Sequence, residues 1–410
     1  MAAMVLTSPS PLPTPPGDCF TYTATYPRPT LPGPEWTLVR VHACGLNRAE
    51  LRSRAGLPPG RPEFNIFQAE YHADPPAVLG EEFVGVVDVA GPRSGFSPGE
   101  RVAGFIYGGG KAHDGSYAQF SLCHSRRLFR LPASSAGQSL PWDVLAAIPM
   151  SMVTAYGCVV LAGGLERRIA SQQQQQQQKQ DQNQNQDQNQ DQNQDQNQNQ
   201  NQDENQGQSA GGAAAIAGHP NVTVLVHGAT SSVGIWAILL AKERGATVIA
   251  TTRASSKAER LKNCGADHVV LEDELDRDLP RLFPCGVDIV LELVGPNQTL
   301  RSLGFAARYG TVVVSGVLNL QWELHGFNPV MIPPTRNLSF YTMTNSGPGG
   351  EDAEIDHIQP LLAEVIAKVE AGAYPLDCIL DRTFKLHEMG QAHEYMEQNK
   401  AVGKVVVTVP

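Results

Sequence analysis

Residues 223–253, TVLVHGATSSVGIWAILLAKERGATVIATTR, run as an apolar strand, a turn of small residues, an apolar helix and a second strand. A dinucleotide pyrophosphate binds where backbone N–H groups converge at a helix N-terminus and small side chains let the anion approach. Ser231, Ser232, Val233 and Gly234 stand at that turn. Alanine and serine replace the first two glycines of the usual G-x-G-x-x-G, while Gly234 keeps the third, which close helix-to-strand packing requires. An acidic residue about 20 positions on would hold a ribose 2′-hydroxyl. Residues 250–257, ATTRASSK, carry no acid. Thr252, Arg253 and Lys257 suit a 2′-phosphate instead, so the expected cofactor is NADPH rather than NADH; the plainer alternative for Arg253 and Lys257 is a solvated helix start.

The elements that must position this turn follow from periodicity. Residues 36–44 (WTLVRVHAC) alternate as a strand with one buried face, and 79–90 and 100–105 hold further short β-rich runs punctuated by glycine; the first 140 residues therefore predict a β-rich domain. From 222 onward strands (222–226, 247–251, 268–270, 287–293, 311–315) alternate with helices (232–244, 255–263, 297–308). That rhythm implies a parallel, doubly wound α/β sheet with helices on both faces. An amphipathic helix at 354–371, a helix near 387–398 and a strand at 404–409 close the chain, the last expected to return to the β-rich domain.

Composition narrows the function. The net charge of −10 argues against nucleic acid or an anionic membrane as partner. Half of that excess lies in residues 172–208, with 21 Gln, 8 Asn, 5 Asp, one Glu and one Lys, a stretch unable to build a core. Inserting it in a surface loop costs only about 1.7 kcal/mol of extra closure entropy. Two long uncharged runs, 144–165 and 222–241, are interrupted by polar residues, glycine or proline and are expected as buried elements rather than membrane spans. Residues 1–17 carry neither a secretory nor a mitochondrial signal and are expected as a frayed, Pro-rich tail. Seven dispersed cysteines without a C-x-x-C pair suggest no disulfide framework and a reducing, cytoplasmic setting.

An ordered series of motifs carries a resemblance: VHACGLNR at 41–48, LGEEFVG at 79–85, GERV at 99–102, GSYA at 115–118, TAY at 154–156, the cofactor turn, and GKVVV at 403–407. The chain resembles the medium-chain dehydrogenase/reductase superfamily, and within it the zinc-independent, NADPH:quinone-reductase-like branch, over nearly all of residues 20–410 except the insert. The resemblance implies a chaperonin-10-like catalytic domain and a Rossmann domain with the active site between them. It divides the chain into a disordered tail (1–17), the first part of the catalytic domain (18–150), the Rossmann domain (151–345, with a disordered insert at 170–212) and a C-terminal return (346–410). It also implies a homodimer.

The zinc ligands of metal-dependent relatives correspond here to Asn47, Glu81 with Glu82, and Met150, so no metal is expected. The family position makes Asn47 a candidate amide donor near the nicotinamide ribose or the substrate oxygen; a loop-capping asparagine is the alternative. Tyr71, in a segment matching no motif, is a candidate proton donor. Thr154, Gly316, Val317 and Leu318 are expected against the cofactor, and Lys404 either closes on it or is an edge-strand lysine. The function expected is NADPH-dependent hydride transfer to a small molecule, a quinone or α,β-unsaturated carbonyl. Two alternatives stay open: a cofactor-binding scaffold that associates through its Gln/Asn tract, and an alcohol or carbonyl dehydrogenase.

Overall fold

Strand β3, Trp36–Gly45, buries seven of its ten residues and exposes only Arg40, as a strand in the middle of its sheet with both faces largely covered. A computed structural model describes residues 1–9, 19–56, 76–106, 113–133, 140–196, 221–321, 323–343 and 355–410. Before β3 come β1, Ala3–Leu6, and β2, Phe20–Thr23; after it follow helix α1, Arg48–Arg54, β4, Ala77–Val78, β5, Glu82–Ala90, β6, Arg101–Phe105, β7, Phe120–His124, and β8, Leu128–Arg130. The N-terminus corrects the expectation of a frayed tail. Residues 3–6 are wholly buried and β1 pairs antiparallel with β2 and β4, since AMVL is apolar enough to close the barrel-like core; the Pro-rich residues 10–18 lie outside the described residues.

Next come α2, Trp142–Ala146, α3, Pro149–Tyr156, and a π-helical turn at Gly157–Ala162. This run is the one candidate membrane span among the described residues by length and apolarity, and it is mostly buried against protein. Helix α4, Leu165–Gln196, then carries the first part of the Gln/Asn tract. This corrects the expectation of disorder from 170. Glutamine is a fair helix former, and packing of Leu165 with a hydrogen bond from Arg168 to Thr311 (2.8 Å) anchors the nucleus from which the helix propagates. The remainder of the tract falls outside the described residues.

The alternating pattern folds as expected. Its elements are β9, Thr223–His227, α5, Ser232–Glu243, β10, Thr247–Thr252, α6, Ala258–Asn263, β11, His268–Leu271, α7, Leu275–Leu282, β12, Val287–Glu292, α8, Thr299–Phe305, β13, Ala306–Val314, and β14, Asn337–Phe340. The six strands form one parallel sheet in the order β11-β10-β9-β12-β13-β14. The order reverses at β9, so a crevice opens at the carboxyl ends of β9 and β12.

The chain closes with α9, Ile355–Glu370, α10, Leu376–Ile379, β15, Leu380–Lys385, α11, Met389–Glu397, and β16, Lys404–Thr408. Strand β16 lies antiparallel against β3 with Val406 opposite Gly45, which returns the C-terminus to the β-rich domain. One feature departs from the cysteine pattern: Cys264, which ends α6, is disulfide-bonded to Cys378 in α10. The two are 114 residues apart, a separation that no spacing rule could pair.

Candidate functional site

At the crevice, Ser231 caps α5. Its Oγ accepts from the N–H of Gly234 (3.0 Å) and donates to the carbonyl of Gly228 (3.0 Å), which shapes the turn. A Cβ at Gly234 would stand 2.6 Å from the carbonyl oxygen of Ala229, so only glycine lets the helix start so close to the strand. Ser232 accepts from Ser151 of α3 (2.9 Å), and Val233 follows on the same first turn. The segment after β13 runs alongside: the N–H of Gly316 reaches the carbonyl of Glu292 (3.3 Å) and that of Leu318 the carbonyl of Leu293 (3.1 Å), with Val317 between them. The turn thus offers helix N–H groups beside small residues, the surroundings a pyrophosphate requires.

At the end of β10, Thr252 is buried and turned back on Ala254 (3.2 Å), while Arg253 is exposed. Lys257 departs from the expected role. Its Nζ donates to the carbonyls of Asn399 (2.6 Å) and Ala401 (3.1 Å), in the loop between α11 and β16.

The densest chemistry lies under the turn. Lys404, the first residue of β16, is almost wholly buried, and its ammonium donates to the Glu82 carboxylate, to Asn47 Oδ1 (2.7 Å) and to Ser151 Oγ (3.2 Å). Glu82 also accepts from Asn47 Nδ2 (3.0 Å) and from the N–H of Met150 (3.1 Å). Gly45 makes room for this cluster, because a Cβ there would meet Lys404 Cε at 2.5 Å and Glu82 Oε1 at 2.7 Å. Asn47 stands at the N-cap of α1, as the plainer alternative foresaw, but its amide is held in one orientation by two charged partners. Among the described residues its second Nδ2–H has no acceptor. Ser151 continues the chain of hydrogen bonds to Ser232, so the cluster joins the cofactor turn.

By the resemblance, Asn47, Glu81 with Glu82, and Met150 stand at the zinc-ligand positions of metal-dependent relatives. The residues here do not fit that metal: an ammonium group fills the space among them, and the donors are a carboxylate, an amide and a backbone N–H. Among the described residues no group of three or more His, Cys, Asp or Glu is arranged to hold a metal. Glu50 lies close by and is fully buried, accepting from the N–H groups of Asn47 and Glu81. Burial and the neighbouring Glu81 carboxylate push its pKa up to about 8.

A second buried cluster was not foreseen. His227, the last residue of β9, donates from Nδ1 to Glu292 (2.6 Å) and from Nε2 to Glu272 (2.9 Å). Glu292 also takes a hydrogen bond from Ser302 and, through Oε1, from the N–H groups of Val294 (2.7 Å) and Gly295 (3.0 Å). Burial alone would lower the imidazole's pKa, but the two carboxylates raise it to about 9. The one hint in the sequence is a histidine ending an otherwise apolar strand.

Thr154, half-buried on α3, donates back to the carbonyl of Met150 (2.7 Å), which is the ordinary behaviour of a helix threonine. Tyr71 lies outside the described residues. The structure therefore joins Asn47 and Lys404 to Ser232 through Ser151, and places Arg253 apart at the edge of β10.

Comparison with known proteins agrees with this architecture. Residues 33–133 match the alcohol dehydrogenase GroES-like domain, and residues 264–407 match the zinc-binding dehydrogenase family. The chain belongs to the medium-chain dehydrogenase/reductase superfamily, with an oxidoreductase fold. It is similar to the human synaptic vesicle membrane protein VAT-1 homolog, 23% identical over 403 residues that cover 92% of this chain and 80% of that protein. Among solved structures it shares the fold of an Escherichia coli quinone oxidoreductase complexed with NADPH, at TM-score 0.68, 18% identity and full coverage of both chains. An NAD-dependent alcohol dehydrogenase superposes at TM-score 0.69 and 21% identity, also covering all of both chains.

Proposed function

We propose that this chain is an NADPH-dependent oxidoreductase that transfers hydride to a quinone or another α,β-unsaturated carbonyl compound without catalytic zinc. The observation that carries the reading is the Lys404 ammonium, set between Asn47 and Glu82 where a metal would stand and one serine away from the cofactor turn. NADPH, when bound, supplies the hydride. Ser231, Ser232, Val233 and Gly234 would hold its pyrophosphate on the first turn of α5, and Arg253 its 2′-phosphate. Lys404 and Glu82 orient the Asn47 amide so that its remaining N–H can donate to a carbonyl or quinone oxygen as negative charge develops there. All three of the ammonium's donors are engaged, so it acts through Asn47 rather than on the substrate. A conjugated acceptor needs less polarisation than an isolated ketone, which suits a neutral amide donor.

The same reading includes a homodimer and a cytoplasmic setting. Strand β14 is an edge of the parallel sheet, and Phe340 on it and Val330 before it are 63% and 88% exposed, which favours a second copy as cover. Five of the seven cysteines are free thiols, four of them buried. The enzymatic test follows NADPH oxidation by the purified chain over a panel of quinones, enones and enoyl thioesters. Turnover with a conjugated acceptor, faster with NADPH than with NADH, is the expected result. A preference for saturated ketones or alcohols, or activity that tracks bound zinc, would overturn the reading.

A further inference from the structure

Arg48 and Lys257 come from opposite halves of the molecule and meet on one residue. Arg48, the first residue of α1, donates from Nη2 to Asn399 Oδ1 (2.7 Å), while Lys257 takes the backbone carbonyl of the same residue (2.6 Å). Asn399 adopts the left-handed backbone region, φ 53°, which asparagine tolerates better than most residues and which turns its carbonyl and side chain to different partners. Arg253 stands four residues before Lys257 at the end of β10. Arg48 and Lys257 thus meet on Asn399, with Arg253 near enough for its charge to act on both.

Two of these three cations, Arg48 and Arg253, have no carboxylate in ion-pair contact among the described residues, although the charge of Glu397 acts on Arg48. Nearby carboxylates are engaged elsewhere: Asp381 pairs with Arg260 (2.6 Å) and Glu397 with Arg54. Among the described residues neither Arg48 nor Arg253 forms an ion pair, and Arg253 makes no hydrogen bond. Burial holds the Arg48 guanidinium down to a pKa of about 10, with the charge of Arg253 lowering it further and Glu397 opposing. A half-buried guanidinium facing a like charge is an unfavourable arrangement that an anion between them would relieve.

We propose that Arg48 and Arg253 close on the 2′-phosphate of NADPH from the two sides of the cleft, Arg48 from the catalytic half and Arg253 from the cofactor half, with Lys257 serving as the strut that holds the 399–401 loop beside them. The proposal rests on the NADPH reading above and adds a residue from the other domain to it. Planar guanidinium groups match phosphate oxygens in pairs, so the phosphate that distinguishes NADPH from NADH would also bind the two halves to each other. Arg48 follows Asn47 directly, so closure on the phosphate would be felt at the amide that faces the substrate.

The test is calorimetric binding of 2′,5′-ADP and 5′-ADP to the full chain and to Arg48→Gln, in which the shorter amide retains a donor for Asn399 without the charge. The wild type is expected to favour 2′,5′-ADP, and Arg48→Gln to weaken that ligand by about tenfold or more while leaving 5′-ADP within about twofold. Lys257→Met should weaken both ligands alike, since it loosens the loop rather than the phosphate contact. A wild type that discriminates together with an Arg48→Gln variant that discriminates equally well overturns the clamp but spares the NADPH reading. A wild type that binds both ligands equally overturns the NADPH reading itself, and the clamp with it. Should Arg48→Gln fail to fold, Arg48→Lys keeps the charge but not the fork: an intermediate discrimination supports the clamp, and wild-type discrimination that does not weaken with added salt opposes it.

Discussion

The two halves of the molecule bury charge in different ways. In the catalytic half the Lys404–Glu82 pair is sealed, with side chains 1% and 2% exposed, and every ammonium proton has an acceptor. In the cofactor half His227 and Glu292 are fully buried, but Glu272 stays one quarter exposed and shares its charge with Arg301. The sealed pair holds one amide, that of Asn47, in a single orientation. The open cluster ties strand ends together, joining β9 to the loop after β12 through Glu292 and to the end of β11 through Glu272. Removing a partner should therefore cost more in the first than in the second.

Lys404→Met would strand the Glu82 carboxylate in a dry site and is expected to destabilise the protein by about 3–5 kcal/mol in urea unfolding. Adding Glu82→Gln should recover much of that loss, and a single variant as stable as the wild type would remove the sealed pair from the comparison. His227→Ala leaves Glu292 bonded to Ser302 and two backbone N–H groups and Glu272 to Arg301, so a loss of about 2 kcal/mol is expected.

The same histidine gives a pH signature. Its folded pKa is raised to about 9 from 6.5, so the stability it contributes is complete below pH 6.5 and is lost as the pH climbs through 9. Glu50, raised to about 8 from 4.5, binds a proton more tightly in the folded state and adds a decline between those two values. The wild-type unfolding free energy should fall on the alkaline side, and His227→Ala should flatten the part above pH 8. A wild-type profile that rises from pH 7 to 9 would contradict both assignments. The smallest effect is expected for excising residues 172–208. Helix α4 is anchored before them, at Leu165 and Arg168, so stability should change by less than about 1 kcal/mol with cofactor binding retained. A larger loss would assign the tract a packing role in one half or the other.

Much of the cofactor half was readable before folding, because its information is local. The strand–turn–helix of 223–243 declares itself by period, and Gly234 by the closeness its position demands. The β-rich half was readable as β but not as a site. Lys404 and Glu82 are 322 residues apart and meet only because β16 pairs with β3, which pairs with β5. The His227 cluster spans separations of 45 and 65 residues, reaching Glu292 on the neighbouring strand β12 and Glu272 at the end of β11, two strands away in the sheet. Lys257 illustrates a different limit: residue type and position favoured a phosphate, but a loop 142 residues away offers carbonyls at the same place. Strand β1 was missed because a proline-rich neighbour suggested a tail, whereas four consecutive apolar residues already had a sheet to join.

The Cys264–Cys378 bond makes the chain a closed ring with two tails. The ring carries β11 to β14, four of the six strands of the parallel sheet and both of its edges, while the turn at Ser231 and the pair at Lys404 and Glu82 belong to the tails. A protease that cuts once inside the ring leaves a molecule still in one covalent piece, which separates into two fragments only after reduction. A cut in either tail releases its fragment at once, so the state of this one bond decides whether damage to the edge of the cofactor sheet divides the chain.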